Sequence, residues 1–211
     1  MKRAAVIEGL CAPGDKGLPT LIVASGPSVT GERAQETMLK HRGPVIAVKD
    51  GYKLYEYADV LMVGDHRYAR RNPSFDDYRG SRIIYSDPAP LPECWASDPR
   101  VGYIPKVAGA GLSRNPKELR GTFTTTALAI NYAVLAGAKV IVLLGVDNKP
   151  GPNNERHFIG GIQEDWMQRY QKQRWGYERM ARHLHEFGVK VYNANPNSAT
   201  RTFPQLPEGI V

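Results

Sequence analysis

The feature that most constrains this chain is a series of short apolar runs, each closed by small or polar residues. The runs are Leu18–Ala24, Pro44–Val48, Ala58–Val63, Ser81–Ser86, Lys139–Leu144 and Val189–Asn193. They are continuous rather than alternating, the pattern of parallel strands covered on both faces. Helical segments lie between them: Glu32–His41, Thr124–Ala136 and Gln163–Phe187. A threonine caps the second, Gly137 stops it, and Gly188 stops the third. Tyr52–Tyr57 reads as a helical turn. Pro88–Asn115, rich in Pro, Gly and Ser, reads as loop with one short strand near Val101–Ile104. Strands alternating with helices predict an α/β fold: a Rossmann-like, doubly wound, mainly parallel sheet with helices on both faces. With 211 residues, one domain over 1–211 is expected, its first 17 residues an irregular N-terminal segment.

A doubly wound sheet binds ligands at the carboxyl ends of its strands, where strand order reverses. The residues that follow each strand therefore carry most of the functional information. After the first strand comes Ser25-Gly26-Pro27-Ser28. The glycine lets a ligand approach the backbone, and the serines offer hydroxyls. This is neither a P-loop nor the G-x-G-x-x-G fingerprint, so conventional ATPase and NAD readings lose support. Gly121-Thr122-Phe123-Thr124-Thr125-Thr126 opens the Ala-rich helix. Free N–H groups at a helix start suit an anion, and three consecutive threonines exceed what a cap requires.

Three acids, Asp50, Asp65 and Asp147, stand at strand ends, suited either to a ribose, base or Mg²⁺ contact or to a turn or cap. Asn153–Gly161 is a polar, glycine-flanked loop after the strongest strand. Its His157 is the best general-base candidate among five histidines. With His157 as base, the rate is expected to rise with pH through a single ionisation between about 6 and 8, Arg156 and Lys149 lowering its pKa and Glu155 and a bound phosphate raising it. His183 and His185 stand at i, i+2 on a helix and face different sides, and His41 reads as a helix cap. After the last strand, Asn195 and Ser198 in Asn193–Ser198 offer groups that read a base or sugar, in a sequence that is also strong turn chemistry.

The balance of 28 Lys+Arg against 21 Asp+Glu, a net +7, points to anionic partners, although the charge is spread along the chain rather than gathered in a tail. Two cysteines, Cys11 and Cys94, exclude a disulfide scaffold and a Cys₄ zinc site. The N-terminus has no apolar run long enough for a signal peptide, and the apolar stretch Ala127–Leu144 is broken by Gly137 and Lys139. A cytoplasmic protein with no membrane span is expected, with a homo-oligomer left open.

Ser25-Gly26-Pro27-Ser28, Thr124–Ala129 and Ile141–Asp147, in this order, resemble one superfamily. It comprises the bacterial CMP-sialic-acid-dependent sialyltransferases, archaeal 6-hydroxymethylpterin diphosphokinase-like proteins and small phage-encoded relatives. The resemblance covers roughly residues 18–204. His157-Phe158-Ile159-Gly160 looks like the sialyltransferases' His-aromatic-Ile-Gly segment, whose histidine is the proposed base. Tyr192–Ser198 looks like their closing segment at the nucleotide. The resemblance implies a CMP or nucleotide-sugar donor held by Gly26, Pro27 and Ser28, with Thr124 and Thr125 near its charged groups. The sialyltransferases place two tyrosines before the histidine to stabilise the leaving phosphate. Here Asn148–Arg156 contains none, and Lys149 or Arg156 stands in electrostatically. Lys49-Asp50 replaces the asparagine expected after the second strand.

These features predict a transferase using a nucleotide-activated donor. The catalytic set is His157 as base with Lys149 and Arg156. The nucleotide set is Ser25, Gly26, Pro27, Ser28, Asp50, Thr124, Thr125, Thr126, Asp147, Asn195 and Ser198. One alternative is a Mg-ATP-dependent, pterin-type pyrophosphokinase with Asp65 and Asp147 as metal ligands. The other is a non-catalytic nucleotide-binding or interaction module.

Overall fold

The computed structural model of the protein describes residues 17–109, 111–121, 123–160 and 166–210. Seven short strands form its main sheet: β1 (Thr20–Val23), β2 (Val45–Val48), β3 (Val60–Val63), β4 (Arg82–Tyr85), β5 (Val101–Tyr103), β8 (Val140–Leu144) and β9 (Lys190–Asn193). All pair in parallel, in the order β5-β4-β3-β2-β1-β8-β9. Two further strands, β6 (Lys106–Val107) and β7 (Leu119–Arg120), form a small parallel ladder of their own. The expected doubly wound α/β architecture is therefore observed.

The chain steps one way from β1 to β5, then returns to the other side of β1 for β8 and β9. Crossovers between parallel strands are right-handed, so this reversal puts the later helices on the opposite face. Helices α1 (Glu32–Lys40), α2 (His66–Arg71) and α3 (Glu93–Ala96) cover one face. There Ala34, Ala69 and Trp95 pack with Leu21, Val23, Leu61, Ile83 and Val142. Helices α4 (Thr125–Leu135) and α5 (Trp166–Glu186) cover the other. Their Leu128, Ile130, Met180 and Leu184 pack with Ile22, Ile46, Met62, Ile84 and Ile141. Adjacent apolar residues of the central strands feed different cores, which explains why their apolar runs are continuous rather than alternating.

The amphipathic α1 lies on the surface, whereas α4 is apolar all round and almost wholly buried between sheet and α5. Residues 27–30 form a 3₁₀ turn begun by Pro27. The helical turn expected over Tyr52–Tyr57 lies earlier, as a 3₁₀ segment at Lys49–Lys53. Residues 161–165, including the expected start of α5, lie outside the described residues, as do Cys11, the N-terminal segment to residue 16 and Thr122.

Candidate functional site at the switch point

β1 and β8 are neighbours, and the connections that leave them run to opposite faces of the sheet. A cleft of about 610 Å³ opens above that seam. Its floor is the pair of loops after these strands. The Gly26 N–H donates to the Gly145 carbonyl at 2.9 Å, and Ala24 N–H donates to Leu144. A Cβ at Gly26 would collide with that carbonyl and stand 2.7 Å from the Asp147 carboxylate. Only glycine permits this approach, and Gly145 itself sits at φ 67°.

Ser25, Gly26 and Pro27 line the cleft from the β1 side. Ser28 turns instead to Asp147. Its backbone N–H donates to one carboxylate oxygen at 2.8 Å and its hydroxyl to the other. The Asn195 amide donates to the same carboxylate at 2.7 Å. Asp147 is thus a buried acid held by three donors. Such pairing is what makes an interior carboxylate tolerable. The Ser198 hydroxyl donates to the Val146 carbonyl at 2.7 Å, and Asn193 Nδ2 reaches the same oxygen at 3.0 Å. Asn195 and Ser198, expected at the ligand, therefore brace the β8 loop from behind.

On the opposite wall, Thr124, Thr125 and Thr126 bring the start of α4 to the cleft. Thr124 is the N-cap. Its hydroxyl accepts the Thr126 N–H at 2.9 Å and lies 3.2 Å from the Tyr177 hydroxyl of α5. The helix start and a cleft wall of α5 are thereby fixed together.

His157 enters from the loop between β8 and α5. Its Nδ1 lies 3.0 Å from the Ser25 hydroxyl, and the Phe158 N–H donates to the Ser25 carbonyl at 3.1 Å. The imidazole is thus tied to the loop after β1, 132 residues earlier in the chain. Burial, with the positive charges of Arg156 and Lys49, pushes its pKa down to about 4, against weaker opposing effects of the Ser25 backbone and Asp50. This lies below the expected range of 6 to 8: burial, the largest cause, adds to the expected effect of Arg156, and the second cation is Lys49 rather than Lys149. When Nδ1–H donates toward Ser25, Nε2 keeps a free lone pair.

Arg156 sits over the Trp166 ring, its guanidinium carbon 3.2 Å from the ring centre. Burial, first of all, pushes its pKa down to about 10. Lys149 is exposed on the cleft rim. Asp65 lines the cleft but caps α2, accepting the Arg67 and Tyr68 N–H groups at 2.9 and 3.2 Å and Lys49 Nζ at 3.0 Å. Its pKa is lowered: burial opposes ionisation, but the Lys49 charge and these hydrogen bonds outweigh it. Asp50 turns away from the cleft toward Lys53, at 3.1 Å, and the Tyr68 hydroxyl, at 3.2 Å. Among the described residues no three metal-ligating side chains converge. With Asp147 enclosed and Asp65 capping a helix, these two acids do not fit a Mg²⁺ ion.

Sequence reasoning passed over several cleft residues. Asn148 follows Asp147 at φ 51°, is only 7% exposed, and its Nδ2 has no hydrogen-bond partner. Trp166, also 7% exposed, has an unpartnered Nε1. Tyr170, Arg169 and Lys172 join them from α5, and an ion pair, Lys106–Asp87, closes the far end. The helical pattern concealed the α5 residues. The Asp147-Asn148 pair, an asparagine at a strand end, was the available signal.

No family model matches the sequence, and no curated protein does. Solved structures do. The sialyltransferase CstII from Campylobacter jejuni in complex with the substrate analogue CMP-3FNeuAc is 13% identical, with a TM-score of 0.53 over 92% of this chain and 87% of that one. A tyrosine-to-phenylalanine variant of CstII in complex with CMP is 12% identical, with a TM-score of 0.53 over 92% and 87%. A phenylalanine-to-tyrosine variant, an α-2,3/8-sialyltransferase, is 14% identical, with a TM-score of 0.53 over 90% and 88%. The chain has the fold of these sialyltransferases across nearly its whole length.

Proposed function

We propose that the protein is a transferase that uses a nucleotide-activated, CMP-type sugar donor, with His157 as general base. The observation that carries this reading is the joint of His157 to Ser25 at 3.0 Å, at the mouth of a switch-point cleft. It sets a neutral imidazole beside the loop after β1, which lines the cleft. The fold shared with CstII supports the same reading.

In this scheme the nucleotide lies between Gly26–Pro27 and Thr124–Thr126. The acceptor hydroxyl gives its proton to Nε2 of His157 as its oxygen bonds to the anomeric carbon. The bond from that carbon to the nucleotide phosphate breaks, and the electron pair leaves with the phosphate. Arg156 and Lys149 balance that charge in a partly dehydrated site, where fixed cations act more strongly than in water. No step uses a metal.

The test is a thermal-shift screen with CMP, CDP, UDP, GDP and ATP, with and without EDTA. CMP or CDP should raise the melting temperature, unaffected by chelation. His157→Ala should abolish turnover while nucleotide affinity stays within a few-fold. Absence of any nucleotide-induced shift, or a Mg²⁺-dependent shift with ATP alone, would defeat the proposal.

A further inference from the structure

The cleft holds two buried hydrogen-bond donors with nothing to donate to. Most buried polar groups in folded proteins have a partner, and an orphaned donor leaves its loss of hydration uncompensated. Asn148 Nδ2 and Trp166 Nε1 are both orphans, on residues that line this one cleft from different elements. Asn148 stands in left-handed conformation on the loop after β8. Its carbonyl accepts from Arg174 Nη1 of α5 at 3.2 Å, which fixes the backbone that carries the amide. Trp166 starts the described part of α5 and carries the Arg156 guanidinium on its face. Arg156 has no carboxylate within ion-pair distance among the described residues, although it is half-buried. The Tyr170 ring lies 5.6 Å from that of Trp166.

The group is rich in donors: the Asn148 amide N–H, the Trp166 indole N–H and the Arg156 guanidinium, with a phenol beside them. An oxyanion suits the two unpartnered N–H groups, because it offers only acceptors and brings a negative charge to Arg156. We propose that Asn148, Trp166 and Arg156 form an oxyanion subsite that binds the phosphate or carboxylate of the ligand and positions it by hydrogen bonds from Asn148 Nδ2 and Trp166 Nε1. The inference rests on the nucleotide-donor reading for the identity of the ligand, but not for the existence of the subsite.

Two variants remove one donor each and preserve the scaffold. Trp166→Phe keeps a ring under Arg156 and deletes the N–H. Asn148→Gly deletes the amide where the backbone already favours glycine. Both are first checked by circular dichroism and melting temperature. Wild type and variants are then titrated calorimetrically with CMP, cytidine, inorganic pyrophosphate, glucuronate and glucose. CMP should bind wild type at least about tenfold more tightly than cytidine. Each variant should lose about tenfold toward CMP and pyrophosphate, the scale of one charge-assisted hydrogen bond, and stay within twofold toward cytidine. If glucuronate, rather than CMP, gains over its neutral counterpart and loses this gain in the variants, the oxyanion is a sugar carboxylate. Wild-type binding of pyrophosphate without cytidine or CMP, again lost in the variants, would keep the subsite and sink the nucleotide reading. Folded variants that bind every anion as wild type does would overturn the subsite itself, as would a wild type that binds none of them.

Discussion

At the residue scale, His157 has consequences for two separate pH profiles. Its pKa in the fold is about 4, against 6.5 for an unperturbed imidazole. In the unfolded chain the ring binds a proton near 6.5, whereas the folded ring resists until about 4, so the unfolded state takes up more protons in that interval. The contribution to stability is full above 6.5 and declines as pH falls toward 4. His41, whose pKa burial also lowers, acts in the same direction. Denaturation midpoints should therefore drop between pH 6.5 and 4, and His157→Gln should flatten part of that slope. In the proposed role of base, His157 of the free protein is already neutral throughout the neutral range, so kcat/KM should show no ionisation of this group between pH 6 and 8. A bound anion beside Arg156 and Lys49 would offset their charges and move the pKa of His157 upward in the complex. A kcat/KM profile that climbs tenfold per pH unit from 6 to 7 would contradict the buried, cation-flanked setting.

Single residues also mark the limit of sequence reading. A strand-end aspartate looks the same whether it meets a ligand, a helix or its own loop. Asp147 meets Ser28 and Asn195, Asp65 caps α2, and Asp50 meets Lys53 and Tyr68. The three roles differ only in what the fold brings opposite each carboxylate, and those partners lie up to 119 residues away.

At the scale of elements, the strands were legible because burial on both faces leaves an unbroken apolar record. Each long apolar run reappears as a strand within a residue or two of its expected ends. The short helices were not. α2 and α3 have few residues to show a period, and α2 begins in the same Gly64-Asp65-His66 stretch that reads equally well as a ligand loop. The strand ladder of β6 and β7 lay inside and just beyond a Pro- and Gly-rich stretch with no pattern at all. The β1–β8 seam itself hinges on one position. Gly26→Ala would thrust a methyl group into the Gly145 carbonyl and against Asp147, both backed by strands with no freedom to retreat. Overpacking of this kind costs about 1–3 kcal/mol. We expect Gly26→Ala to lower stability by that amount in urea denaturation and to weaken nucleotide binding as well, since Ser25 and Pro27 move with it. Unchanged stability would show that the two loops are not in close contact.

At the scale of the whole molecule, the net charge of +7 matters less than where charge is uncompensated. Among the described residues, six basic side chains line the cleft (Lys49, Lys106, Lys149, Arg156, Arg169 and Lys172) against three acids, Asp65, Asp87 and Asp147. Lys49 and Lys106 are paired with Asp65 and Asp87, and Asp147 is enclosed by its donors. Among the described residues the remaining basic lining is Lys149, Arg156, Arg169 and Lys172. A field from this lining draws an anionic ligand toward the seam between β1 and β8, and that is also where the doubly wound topology places a ligand. Exposed charges such as Lys149 are screened by salt over about 10 Å at 0.1 M, whereas half-buried Arg156 is screened much less. The affinity for CMP should therefore fall as ionic strength rises from about 0.02 to 0.3 M, over which the Debye length shrinks from about 20 Å to about 6 Å. It should level off rather than vanish, because the buried cation keeps its hold. Cytidine, which carries no phosphate, should show no such slope. Lys149→Ala should reduce the salt dependence of CMP binding while leaving the high-salt plateau in place, and Arg156→Gln should lower the plateau. Calorimetric titrations of CMP and cytidine at several salt concentrations measure all of this. Equal slopes for the two ligands would mean that the basic wall does not face the phosphate.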